Sequence, residues 1–373
     1  MDYFECTMNK RIAIIGASTG QLPLCLKAKE MGLETFCFAW PQGAVCKDYV
    51  DHFVPISIME MEEISQYCYE NQIDGVVSNA SETTALVSAY IAEKLGKNTT
   101  PFSVFKKIQN KTFVREQTNS IPGLHPVRFQ YGTIEDILSS FPVPYVLKPV
   151  RGAAKKGVNF VDKGNADLTI PEDLKNEMFM AEAFISGKEY SIECLSFHNQ
   201  HEVIQITEKI TTGAPHFVEL EHHQPAELST DIKDRIIGLI PQVLTRIGFT
   251  NGASHIEIKI DNEDNIYLIE VNPRGGGDWI SNKLVSLSTD CDYLKQMILI
   301  SLDIYNPSLI HNIAYSGIYF LSAYSSRLLP FFEKPKADWM IMRERSQKEL
   351  TMSSSNYDRD GFILYCSNKK ILI

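Results

Sequence analysis

Two glutamates sit where apolar residues are expected. The stretch "HIEIKIDNEDNIYLIEVNPRGGGD" (255–278) holds two hydrophobic runs joined by "DNEDN", and each run carries a carboxylate, Glu257 and Glu270. Side chains alternate between the faces of a strand, so Ile256, Ile258 and Ile260 point one way and His255, Glu257 and Lys259 the other. In the second run Leu268, Glu270 and Asn272 are expected to share a face. A hairpin symmetric about Glu263 and Asp264 sets Glu257 opposite Glu270, with Cβ atoms roughly 5 Å apart. On a solvated face such a pair would repel only mildly. Held closer, the two carboxylates need a cation between them, or one must stay protonated. Oxygen donors from Glu257, Glu270 and Asn272 suit a hard divalent cation such as Mg²⁺ better than zinc. "NPRGGGD" follows at once and is expected to bring Arg274 and free backbone N–H groups to the same spot, as an anion beside a metal requires.

The elements that must position this hairpin alternate cleanly at first. "RIAIIGA" (11–17), "ETFCFAW" and "DGVVSNA" read as strands, and the segments 19–32, "EEISQYCYENQ" and "ETTALVSAYIAEKLG" as helices, which implies a parallel sheet covered on both faces. "KKIQNKTFVREQTNS" then reads as one basic helix, and "YVLKPVRGAAKKGVNFVD" as strand, loop and strand. "EMFMAEAFISGKEYSIECLSFHN" gives two runs around "SGKE". Residues 230–248 form a helix that Pro241 is expected to kink, and the residues after about Ala314 form strands and a helix. The turn "GASTG" after the first strand is not GxGxxG, and "ETFCFAW" ends in Trp40 without an acidic residue, so a dinucleotide site is a weak rival.

Bulk properties narrow the class. A chain of 373 residues exceeds one comfortable core, so several domains are expected. A net charge of −10 and a pI near 5.5 argue against nucleic-acid and anionic-membrane partners. The eight cysteines (6, 25, 37, 46, 68, 194, 291 and 366) show no CxxC pairing and read as reduced core residues. With no apolar leader and no span-length run, a soluble cytoplasmic protein is expected.

The paired glutamates with Asn272 resemble, in type, order and spacing, the metal-binding signature of the ATP-grasp ligases. The resemblance runs on through residues 111–274. Lys111 and Lys148 match the two lysines that contact the nucleotide phosphates. "RGAAKKGV" (151–158), with Lys155, Lys156 and Gly157, occupies the place of the phosphate-covering loop, although it is poorer in glycine and serine than the family pattern. Glu182, Phe184 and Ile185 match the hinge that holds adenine, and Glu189 the ribose-binding position. Arg274 matches the arginine that binds the substrate carboxylate or acyl phosphate, and His255 lies on the metal side, where some members carry arginine.

The resemblance implies an α/β and α+β multidomain fold. A Rossmann-like pre-ATP-grasp domain (1–104) is followed by two α+β subdomains with ATP between them (105–184 with the phosphate loop, 185–310 with the metal site) and a terminal α+β part (311–373). The ligand set implied is ATP with Mg²⁺ or Mn²⁺, as two ions. The closest likeness is to the L-amino-acid ligases and the carbamoyl-phosphate-synthetase-like carboxylate–amine ligases. These work through an acyl phosphate on small-molecule carboxylate and amine substrates, and a homodimer is compatible with the resemblance. Two alternatives stay open: an enzyme that phosphorylates bicarbonate, like biotin carboxylase or carbamoyl phosphate synthetase, and an ATP-binding regulatory protein that has lost catalysis. "ITEKITTGAPHFVELEHHQPAEL" (206–228) also resembles a stretch of that branch and is expected as a substrate-facing loop. Its His216, His222 and His223 are too irregularly spaced for a metal cluster.

Overall fold

The computed structural model describes residues 7–152, 155–163, 168–346, 349–353 and 355–373. Its first unit is a parallel sheet of four strands in the order β3-β2-β1-β4, with β1 Arg11–Ile15, β2 Glu34–Phe38, β3 His52–Val54 and β4 Gly75–Val77. Helices Leu22–Glu30, Met61–Glu70 and Glu82–Lys94 connect these strands or follow them. One face of the sheet packs Ile12, Ile14 and Cys37, and the other Ala13, Ile15 and Phe36, into separate apolar clusters. The near-continuous apolar sequence of β1 follows from burial on both sides.

A single basic helix over 106–120 does not form. Asn110 accepts hydrogen bonds from the N–H groups of Thr112 and Phe113, which ends helix Phe102–Ile108 and caps a new helix, Lys111–Thr118. The cap sets Lys111 at the first position of that helix. Beyond it lies a small antiparallel sheet, β5-β8-β6-β7, built from β5 Phe129–Gly132, β6 Tyr145–Pro149, β7 Asn159–Val161 and β8 Phe179–Ala183.

The largest sheet has eight antiparallel strands in the order β13-β12-β9-β10-β11-β14-β16-β15. They are β9 Lys188–Phe197, β10 Gln200–Thr211, β11 Glu219–Gln224, β12 Gly252–Ile260, β13 Ile266–Asn272, β14 Tyr315–Leu321, β15 Met340–Arg345 and β16 Gly361–Ser367. The last three strands thus extend the sheet that carries the glutamate hairpin. Helix Thr230–Ile247 covers one face. Ser229 caps it and Gly248 ends it in the left-handed conformation. Ile232, Ile236, Leu239, Ile240, Val243 and Leu244, at helical spacing, bury against Tyr190, Ile192, Ile256 and Ile258. The helix continues unbroken through Pro241. Among the described residues no helix is long and apolar enough to cross a membrane.

Candidate active site

The face of the large sheet opposite helix Thr230–Ile247 carries a run of polar residues, and its ladder rungs set the site. One rung runs Asn272–His255–Glu193–Gln205, the next Glu270–Glu257–Ser191–Thr207, and a third Lys259–Glu189–Lys209–His222. Cross-strand partners share a face, so opposite charges lie side by side over β13 to β11.

Glu257 does pair with Glu270, but the hairpin is not symmetric to its tip. Ile258 pairs with Leu268 and Ile260 with Ile266, so a β-bulge at Ile269 separates the two registers. The bulge corrects one expectation. Leu268 does not share a face with Glu270 and Asn272; it joins Ile256 and Ile258 in the core. Strict alternation would have buried Glu270 with Ile266 and Leu268, and the extra residue turns it to the side of Glu257.

The glutamates are not left to repel. Glu257 Oε1 lies 2.8 Å from Lys209 Nζ and 3.3 Å from His255 Nε2, and Glu270 Oε1 lies 3.6 Å from Lys111 Nζ. Burial alone would raise the Glu257 carboxyl, but Lys209 and His255 outweigh it and hold the group ionised, well below the usual carboxylate range. Lys209 also lies 3.0 Å from Glu219, and these two carboxylates overcome burial to keep its ammonium charged. Glu257, Glu270 and Asn272 place oxygen donors on one face, which is the donor chemistry of a hard divalent cation.

The small sheet supplies the opposing wall. Lys111, Arg115, Lys148, Glu182, Glu270 and Asn272 line one cavity, together with Glu82. Glu182 is buried between Arg115, at 2.6 Å, and Lys148. Burial would push its carboxyl up, yet the two cations bring it down to about 2. Lys111 Nζ donates to the Gly152 carbonyl at 2.6 Å, at the base of the 151–158 loop. A roomier open groove lined by Arg11, Glu34, Asp51 and Asp74 lies elsewhere, and its charges are paired among themselves and with Lys29.

The loop divides. Ala153 and Ala154 lie outside the described residues. Lys155 reaches inward, donating to the Phe217 carbonyl at 2.8 Å and lying 3.4 Å from Glu219. Lys156 instead pairs at 2.5 Å with exposed Asp173, away from the carboxylates. Gly157 has φ +74°, and a Cβ there would fall 2.9 Å from Leu174, so this glycine serves loop packing.

Phe184, Ile185 and Glu189 converge on Lys259. Its ammonium lies 3.1 Å from Glu189, donates to the Ile185 carbonyl at 3.3 Å and stands 5.1 Å from the Phe184 ring centre. Phe160 and Phe217 complete an aromatic cluster around Phe184.

His255 is buried between Glu193, which its Nδ1 contacts, and Glu257. Burial disfavours the imidazolium, but the two carboxylates raise the group to about 9. Of the glycines beside it, Gly276 is not a free donor. Gly276 N–H donates to Glu193 at 2.9 Å, and a Cβ on Gly276 would lie 2.7 Å from Glu193 and 2.8 Å from His255. A Cβ on Gly275 would meet Asn79 at 2.5 Å. These positions are glycine because the chain passes too close to other groups. Arg274 Nη2 lies 3.6 Å from Glu82, while its buried Nε has no partner among the described residues.

The residues 206–228 are mostly strand, not loop: β10 and β11 joined by a turn. His222 and His223, as strand neighbours, face opposite ways. His223 contacts Glu221 and Tyr365, each at 2.9 Å, and His216 is exposed in the turn. His222, Glu219 and Asp278 bring three ligand atoms within 4.8 Å of one another beside Lys209. Asp278 is held by Arg359, at 2.7 and 3.0 Å, from the terminal part of the chain. Glu193, Lys209, Glu219, Arg115 and Arg359 were not anticipated. The alternation of Glu189, Ser191 and Glu193 with Tyr190, Ile192 and Cys194 was the available signal for the first of them.

Comparisons with known proteins follow the same outline. Residues 141–283 match the ATP-grasp domain model. A D-alanine–D-alanine ligase of Sphingopyxis alaskensis is 30% identical over 178 residues, covering 41% of this chain and 54% of that protein. The alanine–anticapsin ligase of Bacillus amyloliquefaciens is 24% identical over 246 residues, covering 58% of this chain and 52% of that protein. The chain thus spans about half the length of the curated relatives it matches. The crystal structure of the L-amino acid ligase from Bacillus licheniformis superposes with a TM-score of 0.77 at 23% identity, over 97% of this chain and 94% of that one. Residues 141–283 thus match an ATP-grasp domain, within a chain that shares its fold with that ligase structure.

Proposed function

We propose that the chain is an ATP-dependent carboxylate–amine ligase acting on amino acids or other small carboxylates. The observation that carries this reading is the convergence of Glu257, Glu270 and Asn272 with Lys111 and Lys148 across the two sheets. Two divalent cations, Mg²⁺ or Mn²⁺, held by Glu257, Glu270 and Asn272, would neutralise phosphate oxygens. Lys111, Lys148 and Lys155 balance the remaining charge of the nucleotide, and phosphoryl transfer requires mainly such alignment and neutralisation. Phe184, Ile185 and Glu189 frame the adenosine end. Binding there needs Lys259 to yield some of its contacts.

In the reaction, a substrate carboxylate oxygen attacks the γ-phosphorus and ADP leaves. The amine nitrogen then attacks the acyl carbon, inorganic phosphate leaves and the nitrogen loses a proton. Arg274, with an unpartnered buried Nε, orients the carboxylate and the acyl phosphate through its planar fork. His255, charged at neutral pH between Glu193 and Glu257, acts as a fixed positive charge beside the carboxylates and not as a base. The relatives' names, D-alanine–D-alanine ligase and alanine–anticapsin ligase, support amino acids as the substrate class.

The test is positional isotope transfer. A carboxylate substrate labelled with ¹⁸O passes one label to the released phosphate if the acyl phosphate forms. Turnover with unlabelled phosphate would contradict the mechanism.

A further inference from the structure

Away from the nucleotide cleft, three cysteines from three elements meet inside the N-terminal unit. Cys25 lies on helix Leu22–Glu30, Cys37 on β2 and Cys46 on the turn Val45–Tyr49. Each is fully buried, none is in a disulfide, and their sulfurs all lie within 4.8 Å of one another. The cluster that contains them is apolar, with Leu24, Ala28 and Val77 among its members. The polar atoms their sulfurs reach are main-chain carbonyls: Cys37 Sγ donates to Gly16 O at 3.4 Å and Cys46 Sγ to Ser18 O at 3.5 Å.

A single buried cysteine packs as a small hydrophobe and calls for no further explanation. Three convergent thiols are different, because they aim their soft donor atoms at one point.

We propose that Cys25, Cys37 and Cys46 form a trigonal, all-sulfur site for one soft d¹⁰ cation, Cu(I). Hard cations require oxygen ligands, and a structural zinc takes four ligands. Among the described residues no histidine, carboxylate or fourth thiol joins this group. Soft sulfur in a low-coordinate, apolar setting selects Cu(I). On loading, each coordinating thiol gives up its proton to solvent. The loop these thiols hold leads toward the catalytic side. Gln21 donates to Asn79 O at 2.6 Å, Asn79 to Ser281 at 3.1 Å, and Ser281 to Gly276 O at 2.6 Å.

The experiment titrates the reduced full chain, without oxygen, with Cu(I) presented as its bathocuproine disulfonate complex, following loss of the complex's colour. X-ray absorption at the copper edge reads the ligands. The expected result is uptake of one ion per chain with a shell of three sulfurs. Cys37→Ala and Cys46→Ala should each weaken uptake by about 100-fold or more. Cys291→Ala, which removes another buried thiol of the same core, should leave it unchanged. No uptake, a shell containing nitrogen or oxygen, or uptake indifferent to Cys37→Ala would overturn the proposal. If a variant does not fold, the absorption spectrum of the unaltered protein still decides.

Discussion

Glu257 and Glu270 face each other on one rung of the β12–β13 ladder, and each leans on a different cation: Lys209 at 2.8 Å and Lys111 at 3.6 Å. Lys209 belongs to the large sheet and Lys111 to the helix beside the small one, so the paired carboxylates are where the two walls of the cleft meet.

Glu270→Gln is therefore expected to remove a proposed metal ligand without removing a support of the fold. Binding of Mn²⁺ with ADP, followed by electron paramagnetic resonance, should weaken by at least about 10-fold. The melting temperature should stay unchanged or rise, since a like-charge neighbour of Glu257 is gone. Unaltered Mn²⁺ binding would remove Glu270 from the metal site.

Glu182→Gln acts in the opposite way. It strands Arg115 and Lys148 as buried, unpaired cations, at a cost of about 3–5 kcal/mol. The pH dependence has a definite sign. A carboxyl held at about 2 against an ordinary 4.5 contributes stability above the ordinary value and loses it as pH falls toward about 2. That contribution is about 3 kcal/mol. Urea unfolding at a series of pH values should show a shallower acid limb in the variant. Identical acid limbs would contradict the assignment.

His255 should titrate the other way. Its pKa, raised from 6.5 to about 9, adds stability that is fully present below 6.5 and is lost as pH rises through about 9. Long-range ¹H–¹⁵N spectra at pH 7.5 should show both ring nitrogens of His255 protonated, and His255→Gln should flatten the alkaline slope of stability. A neutral ring at pH 7.5 would show that Glu193 and Glu257 do not hold the charge.

The glycine segment separates packing from freedom. Gly276→Ala forces a Cβ to within 2.7 Å of Glu193 and 2.8 Å of His255, and should cost about 1–3 kcal/mol and most of the activity. Gly277→Ala meets nothing within 4 Å and should be tolerated. Thermal melts of the two variants test the contrast, which equal losses would refute.

The pairing of Glu257 with Glu270 was legible because strand alternation and turn chemistry are local. The bulge at Ile269 was not: a symmetric turn reaches the same pairing at the glutamates and misplaces Ile266, Tyr267 and Leu268 on the turn side of it. Asn110, read as the middle of a basic helix, turned out to cap one, its side chain accepting from the N–H groups of Thr112 and Phe113. Lys209 and Glu219 escaped notice for another reason. Each looks like an ordinary strand charge until β10 and β11 are laid beside β9 and β12. The meeting of Cys25, Cys37 and Cys46 likewise depends on three elements whose approach no spacing encodes.

The most direct test of the central claim is ADP release from Mg·ATP, screened against paired amino acids and, separately, bicarbonate, with Glu270→Ala as the control. The account predicts release that requires an amino acid and disappears in the variant. Release driven by bicarbonate alone, or release that persists in Glu270→Ala, would contradict it.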